Sequence, residues 1–213
     1  MLHRYDGADP QQRADGLTHA VAAARRGELV VLNTDSAYAI VTDAFSWKGL
    51  ERMRELRNRP DMSVPVLVGS AATVDGVGAL AGDSAVVARD LMQACWPGPL
   101  TLLANTQPSL PWKCTPDNVV AVRMPLHPWT LAVVRAIGPT ACMPVLAADG
   151  TVVTSAREAM EIVDMAASVY LDGGPCLPDQ TSTIVDVTSD EAQVMRIGAI
   201  TFERLQELTG ELA

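Results

Sequence analysis

The sequence predicts an α/β domain with a mixed, twisted sheet and helices on the faces of the sheet. Short apolar, β-branched runs alternate with stretches of helical spacing along the 213 residues, and 48% of the residues are apolar. The alternation follows no regular βαβ repeat, and several strands succeed one another late in the chain, which argues against a Rossmann sheet or a barrel. We expect one domain over residues 1–213, with tails at 1–10 and 209–213.

The first half of the chain alternates helices and strands. The opening helix places Leu17, Val21 and Ala24 on one face, and Gly27 follows it as a typical helix terminator. The segment Trp96–Pro99 separates a helix from the next strand because proline cannot continue a helix. In order, the predicted elements are a helix at Gln11–Arg26, a strand at Glu28–Leu32, a helix at Lys48–Leu56, a strand at Val64–Val68, a helix at Ser84–Cys95 and a strand at Leu100–Ala104.

The second half begins after a proline-containing surface loop at Thr106–Asp117. Its strands are short and apolar, and Ser155 is a typical N-cap for one of its helices. In order, the predicted elements are a strand at Asn118–Met124, a helix at Pro128–Ile137, a strand at Thr140–Ala147, a helix at Ser155–Ala167, strands at Val169–Leu171, Ser182–Val187 and Gln193–Ile197, and a helix at Thr201–Leu208.

Composition and charge exclude several classes of protein. No apolar run approaches the roughly 20 residues of a membrane span, and the polar N-terminus lacks a signal region, so we expect a cytoplasmic protein with no membrane partner. The net charge of −9 argues against direct nucleic-acid binding, which requires clustered Lys and Arg. The four cysteines lie far apart without a CxxC pair, so we expect no metal site among them.

The common enzyme motifs are absent from the sequence, which contains no P-loop, no GxGxxG after a strand and no GxSxG elbow. Of the three histidines, only His127 lies near a strand end, where a structural or helix-capping role is the better interpretation. No catalytic nucleophile or base is therefore assigned.

Polar side chains recur instead at the ends of predicted strands, where ligands bind in open α/β sheets. Asn33–Ser36 and Tyr38 follow the strand Glu28–Leu32, although a polar turn that only caps the next element is the alternative for this segment. Arg123 and Arg196 end two further strands, and arginine suits bidentate capture of carboxylate or phosphate. We expect a site for an anionic small molecule such as a nucleotide, at which catalysis rests on positioning and charge stabilisation. The side chains expected to line one concave pocket are Thr34, Ser36, Arg59, Arg123, Ser182 and Arg196.

Six short motifs occur in a fixed order over nearly the whole chain. They are Asn33-Thr34-Asp35-Ser36-x-Tyr38, Arg57-x-Arg59-Pro60, Trp96-Pro97-Gly98-Pro99-Leu100-Thr101, Val122-Arg123-Met124-Pro125, Ser182-Thr183-Ile184-Val185-Asp186 and Arg196-x-Gly198. In this order they resemble the motifs of the YrdC-like family, the threonylcarbamoyl-AMP synthases. One such motif would mean little, whereas six in order indicate a common fold and descent.

The resemblance implies a twisted mixed sheet with a central, locally positive cavity. It also implies condensation of L-threonine, bicarbonate and ATP to threonylcarbamoyl-AMP and pyrophosphate with Mg²⁺, a product that the downstream threonylcarbamoyl-transfer machinery uses at adenosine 37 of tRNAs. By position, the threonine contacts implied are Thr34, Ser36, Tyr38, Ser182 and, on the carboxylate, Arg123. The nucleotide contacts implied are Arg57, Arg59, Thr101 and Arg196.

The chain departs from the family pattern at the implied pocket. The family's Ser-x-Asn is replaced by Pro144-Val145-Leu146 in a gapless register, or by Ala147-Ala148-Asp149 in a shifted one, and Arg57 replaces a lysine. Asn33 and Ala39 also replace a proline and a glycine. These changes predict slow or absent adenylation, or a related carbamoyl-adenylate reaction in a diverged paralogue. The alternative is a non-catalytic nucleotide- or RNA-binding module of the same fold.

Overall fold

The computed structural model describes residues 2–110, 112, 114–177 and 181–210. Within these residues, eleven strands form one mixed sheet. The strands are β1 (His3–Asp6), β2 (Leu29–Asn33), β3 (Tyr38–Asp43), β4 (Val66–Leu67), β5 (Gly78–Ala79), β6 (Leu100–Thr106), β7 (Val119–Arg123), β8 (Thr140–Pro144), β9 (Ala167–Asp172), β10 (Thr183–Asp186) and β11 (Gln193–Arg196). The helices are α1 (Pro10–Arg25), α2 (Trp47–Arg57), α3 (Val74–Val77), α4 (Gly82–Cys95), α5 (Pro128–Ile137), α6 (Ala156–Val163) and α7 (Phe202–Thr209).

The predicted α/β fold with a mixed sheet is confirmed. The strand order is β1-β9-β2-β3-β8-β4-β7-β6-β10-β11, with β5 paired to β6 outside this path. The sheet contains both parallel pairs, such as β2–β9 and β4–β7, and antiparallel pairs, such as β2–β3 and β6–β7. Helix ends follow local sequence signals, since Asp9 caps α1 and Ser155 caps α6 through their side-chain oxygens.

The structure contains four elements that the sequence analysis did not predict, namely β1, β3, α3 and β5. Residues 1–10 were expected to form a tail, but His3–Asp6 pairs in parallel with β9 and Arg4 forms an ion pair with Asp172 at 2.6 Å. The partner strand lies far along the chain, so no local pattern reveals this pairing. Strand β3 was also missed, because Tyr38–Asp43 directly follows a tight polar turn. The tail expected at 209–213 falls mostly outside the described residues.

The two faces of the sheet are covered differently, and this difference creates the site. One face packs on α2, α4, α6 and α7 through a large core that includes Leu50, Leu91 and Leu205. On the other face, α1 and α5 pack through Ala20, Ala23, Trp129 and the second core cluster. That cluster lies over β9, β2, β3 and β8. A cavity opens over the neighbouring strands β4, β7, β6 and β10.

Candidate functional site

A cavity of about 310 Å³ lies on the sheet face that carries α1 and α5. Its walls come from the β2–β3 turn, from β4, β6, β7 and β8, and from the start of β10 and end of β11. Six of the nine residues predicted to bind substrate or nucleotide line it, namely Thr34, Ser36, Thr101, Arg123, Ser182 and Arg196. The fold therefore brings together side chains that are spread over most of the chain.

Strand alternation explains why polar side chains face this cavity. In β7, Val120 and Val122 enter the large core, so Ala121 and Arg123 point to the opposite face. In β6, Leu100 and Leu102 likewise enter the core and leave Thr101 toward the cavity. The strand pairing also brings these side chains close together, because Thr101 lies opposite Arg123 on β7 and opposite Ile184 on β10.

Arg123 is held from two sides by groups of the protein. Its Nε donates to the Gly98 carbonyl at 3.2 Å, and its Nη2 forms an ion pair with Asp35. The Asp35 Oδ1 atom accepts from the backbone N–H groups of Leu126 at 2.8 Å and His127 at 2.9 Å. The two charged side chains are only 13% and 9% exposed. Asp35 thus ties the β2–β3 turn to the N-terminus of α5 and fixes the guanidinium at the cavity wall.

Asp35 and Gly98 contribute to the site, although the sequence analysis assigned them no role. Both lie inside quoted motifs, so their positions were visible although their contact with Arg123 was not. The requirement for glycine is steric, because a Cβ on Gly98 would overlap the Cys95 carbonyl oxygen. The Trp-Pro-Gly-Pro turn therefore supplies a backbone carbonyl that orients Arg123.

Ser182 is the centre of a second polar cluster. Its Oγ accepts from Thr101 Oγ1 at 2.9 Å and from Arg196 Nη2 at 3.1 Å. Its carbonyl accepts from Arg196 Nε at 3.1 Å and Nη2 at 2.8 Å. The neighbouring Thr183 faces away from the cavity and accepts from the N–H of Gly198 at 2.9 Å. A Cβ on Gly198 would overlap the Thr181 carbonyl, which explains the glycine after Arg196.

The β2–β3 turn contributes Thr34 and Ser36. The Thr34 hydroxyl donates to the Ala37 carbonyl at 2.8 Å and accepts from the Ala37 N–H at 3.3 Å, so it mainly shapes the turn. Ser36 also lines the cavity. The segment is thus a polar turn that connects two strands and also a wall of the cavity, so both interpretations offered by the sequence, a turn and a part of the site, apply to it.

The opposite wall is apolar and is the region that lacks Ser-x-Asn. Pro144, Cys142 and Val152 line the cavity there. Burial raises the pKa of Cys142 to about 12, so its thiol stays neutral. Among the gapless-register residues, Pro144 reaches the cavity, whereas Val145 is 2% exposed within the core.

The shifted register of this motif finds no support in the geometry. Ala147–Gly150 forms a turn, closed by a bridge between Leu146 and Val152 and by the Ala147 N–H donating to Thr151 O at 2.9 Å. The Asp149 carboxylate accepts from the Thr151 hydroxyl at 2.7 Å and is exposed. Asp149 is not among the residues that line the cavity.

Three predicted site residues do not line the cavity. Tyr38 points into the large core on the opposite face, where its hydroxyl lies 2.7 Å from the Gly174 carbonyl and 3.1 Å from Asp172 Oδ1. Burial and the Asp172 charge raise the pKa of Tyr38 far above its ordinary value. Arg57 donates to the Pro144 carbonyl from the outer side of the wall, and burial lowers its pKa. Arg59 is exposed in a separate groove beside α2.

The predicted helix-capping role of His127 is confirmed. Its Nδ1 accepts from the Thr130 N–H at 3.5 Å at the start of α5, and burial lowers its pKa. Among the described residues, no group of three or more His, Cys, Asp or Glu side chains could hold a metal ion. Within the same residues, no helix has the length and apolarity needed to cross a bilayer.

Comparison with known proteins identifies the family. The model of the Sua5/YciO/YrdC family, described as "Telomere recombination", matches residues 22–198. A relative from Mycobacterium tuberculosis (strain CDC 1551 / Oshkosh), named "Putative threonylcarbamoyl-AMP synthase", is 37% identical over 99% of this chain and 96% of its own length. The chain belongs to the Sua5/YciO/YrdC family. A family member from Bacillus subtilis, a threonylcarbamoyl-AMP synthase, is 28% identical over 96% of this chain, which spans 58% of that longer protein.

Solved structures of the Sua5/YciO/YrdC family show the same fold. Pyrococcus abyssi Sua5 complexed with L-threonine superposes with a TM-score of 0.85 at 23% identity, over 100% of this chain and 62% of that chain. Escherichia coli YciO superposes with a TM-score of 0.77 at 21% identity, over 93% of this chain and 96% of that chain. The expected YrdC-like fold with a central cavity is therefore confirmed.

Proposed function

We propose that this member of the Sua5/YciO/YrdC family is a threonylcarbamoyl-AMP synthase, a nucleotidyltransferase-type enzyme. It condenses L-threonine, bicarbonate and ATP to threonylcarbamoyl-AMP and pyrophosphate. The observation that carries the proposal is the cavity on which Arg123, Arg196, Thr101 and Ser182 converge. Relatives that are named for this activity, and the L-threonine complex of P. abyssi Sua5, support the choice of substrates.

The chemistry requires charge stabilisation more than a covalent nucleophile. A carbamate formed on the threonine amine attacks the α-phosphorus of ATP, and the bond to the pyrophosphate breaks. Both reactants are anionic, so two guanidinium groups in one cavity offset their repulsion and orient them for the reaction. Arg123, already fixed by Asp35 and Gly98, suits the threonine carboxylate because its remaining N–H groups are pre-oriented.

Mg²⁺ enters this proposal with the nucleotide. Asp35 is the carboxylate that pairs with Arg123 at the cavity wall, and it also accepts from two backbone N–H groups. The described residues therefore do not fit a metal site built by the protein. Mg²⁺ is best held by the phosphates of ATP and water, as is usual for this cation, and is treated as part of the substrate.

The second candidate function is a non-catalytic nucleotide- or RNA-binding module of the same fold. The wall formed by Pro144, Cys142 and Val152 favours it, because it offers no side-chain hydroxyl or amide where the family pattern has Ser-x-Asn. Each missing hydrogen bond to a charged group weakens binding by about 1.5–3 kcal/mol. The same loss makes slow turnover the expectation for an active enzyme.

Two measurements test the proposal on the full chain. Calorimetric titration with Mg-ATP and with L-threonine should show binding of both, and pyrophosphate release should require threonine and bicarbonate as well as ATP. Arg123→Ala should weaken threonine binding about ten- to a hundredfold. Arg89→Ala, which breaks only an exposed ion pair with Asp75, is the matched control and should change neither ligand binding nor pyrophosphate release.

Each result separates the two candidates. Binding of Mg-ATP without any pyrophosphate release would favour the binding module and reject the synthase. Absence of both bindings would reject a nucleotide function for this cavity. The threonylcarbamoyl-transfer machinery, a cytoplasmic location and the lack of direct RNA contact remain predictions that follow from the proposed reaction and the acidic charge.

A further inference from the structure

The hydroxyl of Tyr38 reaches from the core to the corner of the chain that follows β9. Tyr38 is fully buried, and its hydroxyl donates to the Gly174 carbonyl at 2.7 Å, with Asp172 Oδ1 as a second acceptor at 3.1 Å. The same carboxylate oxygen accepts from the Gly174 N–H at 3.1 Å. Both backbone polar groups of Gly174 are therefore held, one by the phenol and the other by Asp172.

Strand β1 contributes to this arrangement through Arg4. Its Nη2 atom donates to Asp172 Oδ2 at 2.6 Å, so the other carboxylate oxygen, Oδ1, faces Gly174 and Tyr38. Three segments that are distant in sequence, namely β1, β3 and the end of β9, thus meet at one corner. A polar network whose groups satisfy one another in this way is rigid.

The corner packs directly against a wall of the cavity. A Cβ on Gly173 would overlap the Asn33 side chain, so the chain passes very close to the end of β2 here. Beyond the corner, the Cys176 thiol donates to the Thr34 carbonyl at 3.3 Å. Thr34 lines the cavity. The corner therefore supports the β2–β3 turn from behind.

The backbone of Tyr38 contacts a second wall of the cavity. Its N–H donates to the Val153 carbonyl at 2.7 Å, and its carbonyl accepts from the Val145 N–H at 2.8 Å. The neighbouring residues Val152 and Pro144 line the apolar side of the cavity. Tyr38 thus connects the corner, the polar turn and the apolar wall, although its side chain lies on the opposite face of the sheet.

We propose that Tyr38 and Asp172 are positioning residues, which hold the Gly173–Gly174 corner against the β2–β3 turn and so raise the affinity of the cavity for its substrate without touching the substrate. When the corner loosens, the Thr34 carbonyl loses its contact with the Cys176 thiol, and the turn gains freedom. Ligand binding must then order this turn, which lowers affinity. The inference rests on the proposed function, which supplies L-threonine as the probe.

Tyr38→Phe removes only the hydroxyl, and Tyr170→Phe is its matched control. Tyr170 is buried in the same core cluster, and its hydroxyl likewise donates to a backbone carbonyl, that of Asp164 directly after α6. Neither Tyr170 nor Asp164 lines the cavity. Both variants should lower the melting temperature by similar amounts. Only Tyr38→Phe should also weaken L-threonine binding, by about three- to tenfold in calorimetry.

Two variants of Asp172 give a second comparison. Asp172→Asn keeps an acceptor for the Gly174 N–H and the Tyr38 hydroxyl, so it should retain the wild-type affinity for L-threonine. Asp172→Ala removes that acceptor and should weaken L-threonine binding as Tyr38→Phe does. Equal losses in the two Asp172 variants would contradict its role, because the ion pair with Arg4 would then matter instead of the hydrogen bonds to the corner.

The thiol of Cys176 reports on the corner without any ligand. It is 7% exposed and contacts the Thr34 carbonyl. In Tyr38→Phe, iodoacetamide should modify Cys176 about three- to tenfold faster than in the wild type, because local opening exposes the thiol. Mass spectrometry of the labelled peptides measures this rate. Cys114, which is fully buried in the core, is the internal control, and its rate should not change.

The outcomes separate the inference from the proposed function. If Tyr38→Phe binds L-threonine as tightly as the wild type, or if Tyr170→Phe loses as much affinity, the inference is wrong while the proposed function stands. Unchanged labelling of Cys176 would also overturn the inference, because the corner would then not depend on the Tyr38 hydroxyl. If the wild-type protein does not bind L-threonine, the proposed function fails and the inference falls with it.

Discussion

Asp35→Asn should destabilise the protein by about 3 kcal/mol, although the substitution barely changes the shape of the side chain. The amide oxygen can still accept from the N–H groups of Leu126 and His127, as Asp35 Oδ1 does at 2.8 and 2.9 Å. The amide nitrogen, however, would face the Arg123 guanidinium and could not accept from it. The change therefore removes the counter-ion of a cation whose side chain is only 13% exposed.

The magnitude follows from the burial of the pair. Removing one partner of a buried ion pair costs about 3–5 kcal/mol, because the other charge stays desolvated. The low end applies here, since Arg123 borders the cavity and still donates to Gly98 O at 3.2 Å. For a chain of this length, about 3 kcal/mol corresponds to roughly 6–12 °C in melting temperature.

This loss can be measured by urea unfolding, with tryptophan fluorescence as the signal. The midpoint should fall to a lower urea concentration, while the slope of the unfolding free energy against urea concentration stays constant. Asp75→Asn is the matched control, because Asp75 pairs with Arg89 at 3.1 Å where both side chains are more than half exposed. Such exposed pairs contribute about 0.2–1 kcal/mol. Two results would refute the argument that burial of the Asp35–Arg123 pair sets the cost. One is an Asp35→Asn protein whose free energy of unfolding lies within about 1 kcal/mol of the wild type. The other is an Asp75→Asn control that is destabilised as much as Asp35→Asn.

Three further predictions concern the cavity and the helix that borders it. Gly198→Ala should cost about 1–3 kcal/mol in urea unfolding, because its Cβ would overlap a carbonyl oxygen, whereas Gly76→Ala, with open space around its Cβ, should cost nothing. Burial lowers the pKa of His127 below 6.5, so the unfolded chain gains a proton first as the pH falls. The stability gap between the wild type and His127→Asn should therefore shrink between about pH 7.5 and pH 5.5, and a constant gap would contradict this. The double substitution Pro144→Ser and Leu146→Asn should raise pyrophosphate release roughly tenfold, the value of one regained hydrogen bond, and no gain would show that the wall does not limit the reaction.

Local sequence signals were sufficient for most of the elements. Helix α5 has the predicted bounds, because proline at its first position and glycine after its end are encoded locally. The strand Val119–Arg123 also follows its alternating pattern, with Val120 and Val122 in the core and Arg123 on the opposite face. Since the period of a strand is two, this pattern alone fixed which side chains share a face.

Motif order was enough to select the residues of the cavity, but not the contacts among them. Thr101, Arg123, Ser182 and Arg196 converge on the cavity as expected. Thr101 and Ser182 lie at the starts of β6 and β10, and Arg123 and Arg196 lie at the ends of their antiparallel neighbours β7 and β11. The ion pair of Arg123 with Asp35 joins residues 88 positions apart. No local pattern encodes such a pair, and only the packed sheet and the N-terminus of α5 bring the two charges together.

The sequence by itself determined the fold class, the family and most of the cavity, since these depend on apolar periodicity and on short motifs. Tertiary structure alone decided which side of a strand or helix the remaining residues face. Tyr38 points into the core because β3 pairs with β2 and β8, and Ala39 takes the cavity side. Arg57 reaches the Pro144 carbonyl because α2 packs on β2 and β3, and β8 is the next strand beside β3. A shift of one residue in a strand reverses its faces, so such assignments require the pairing itself.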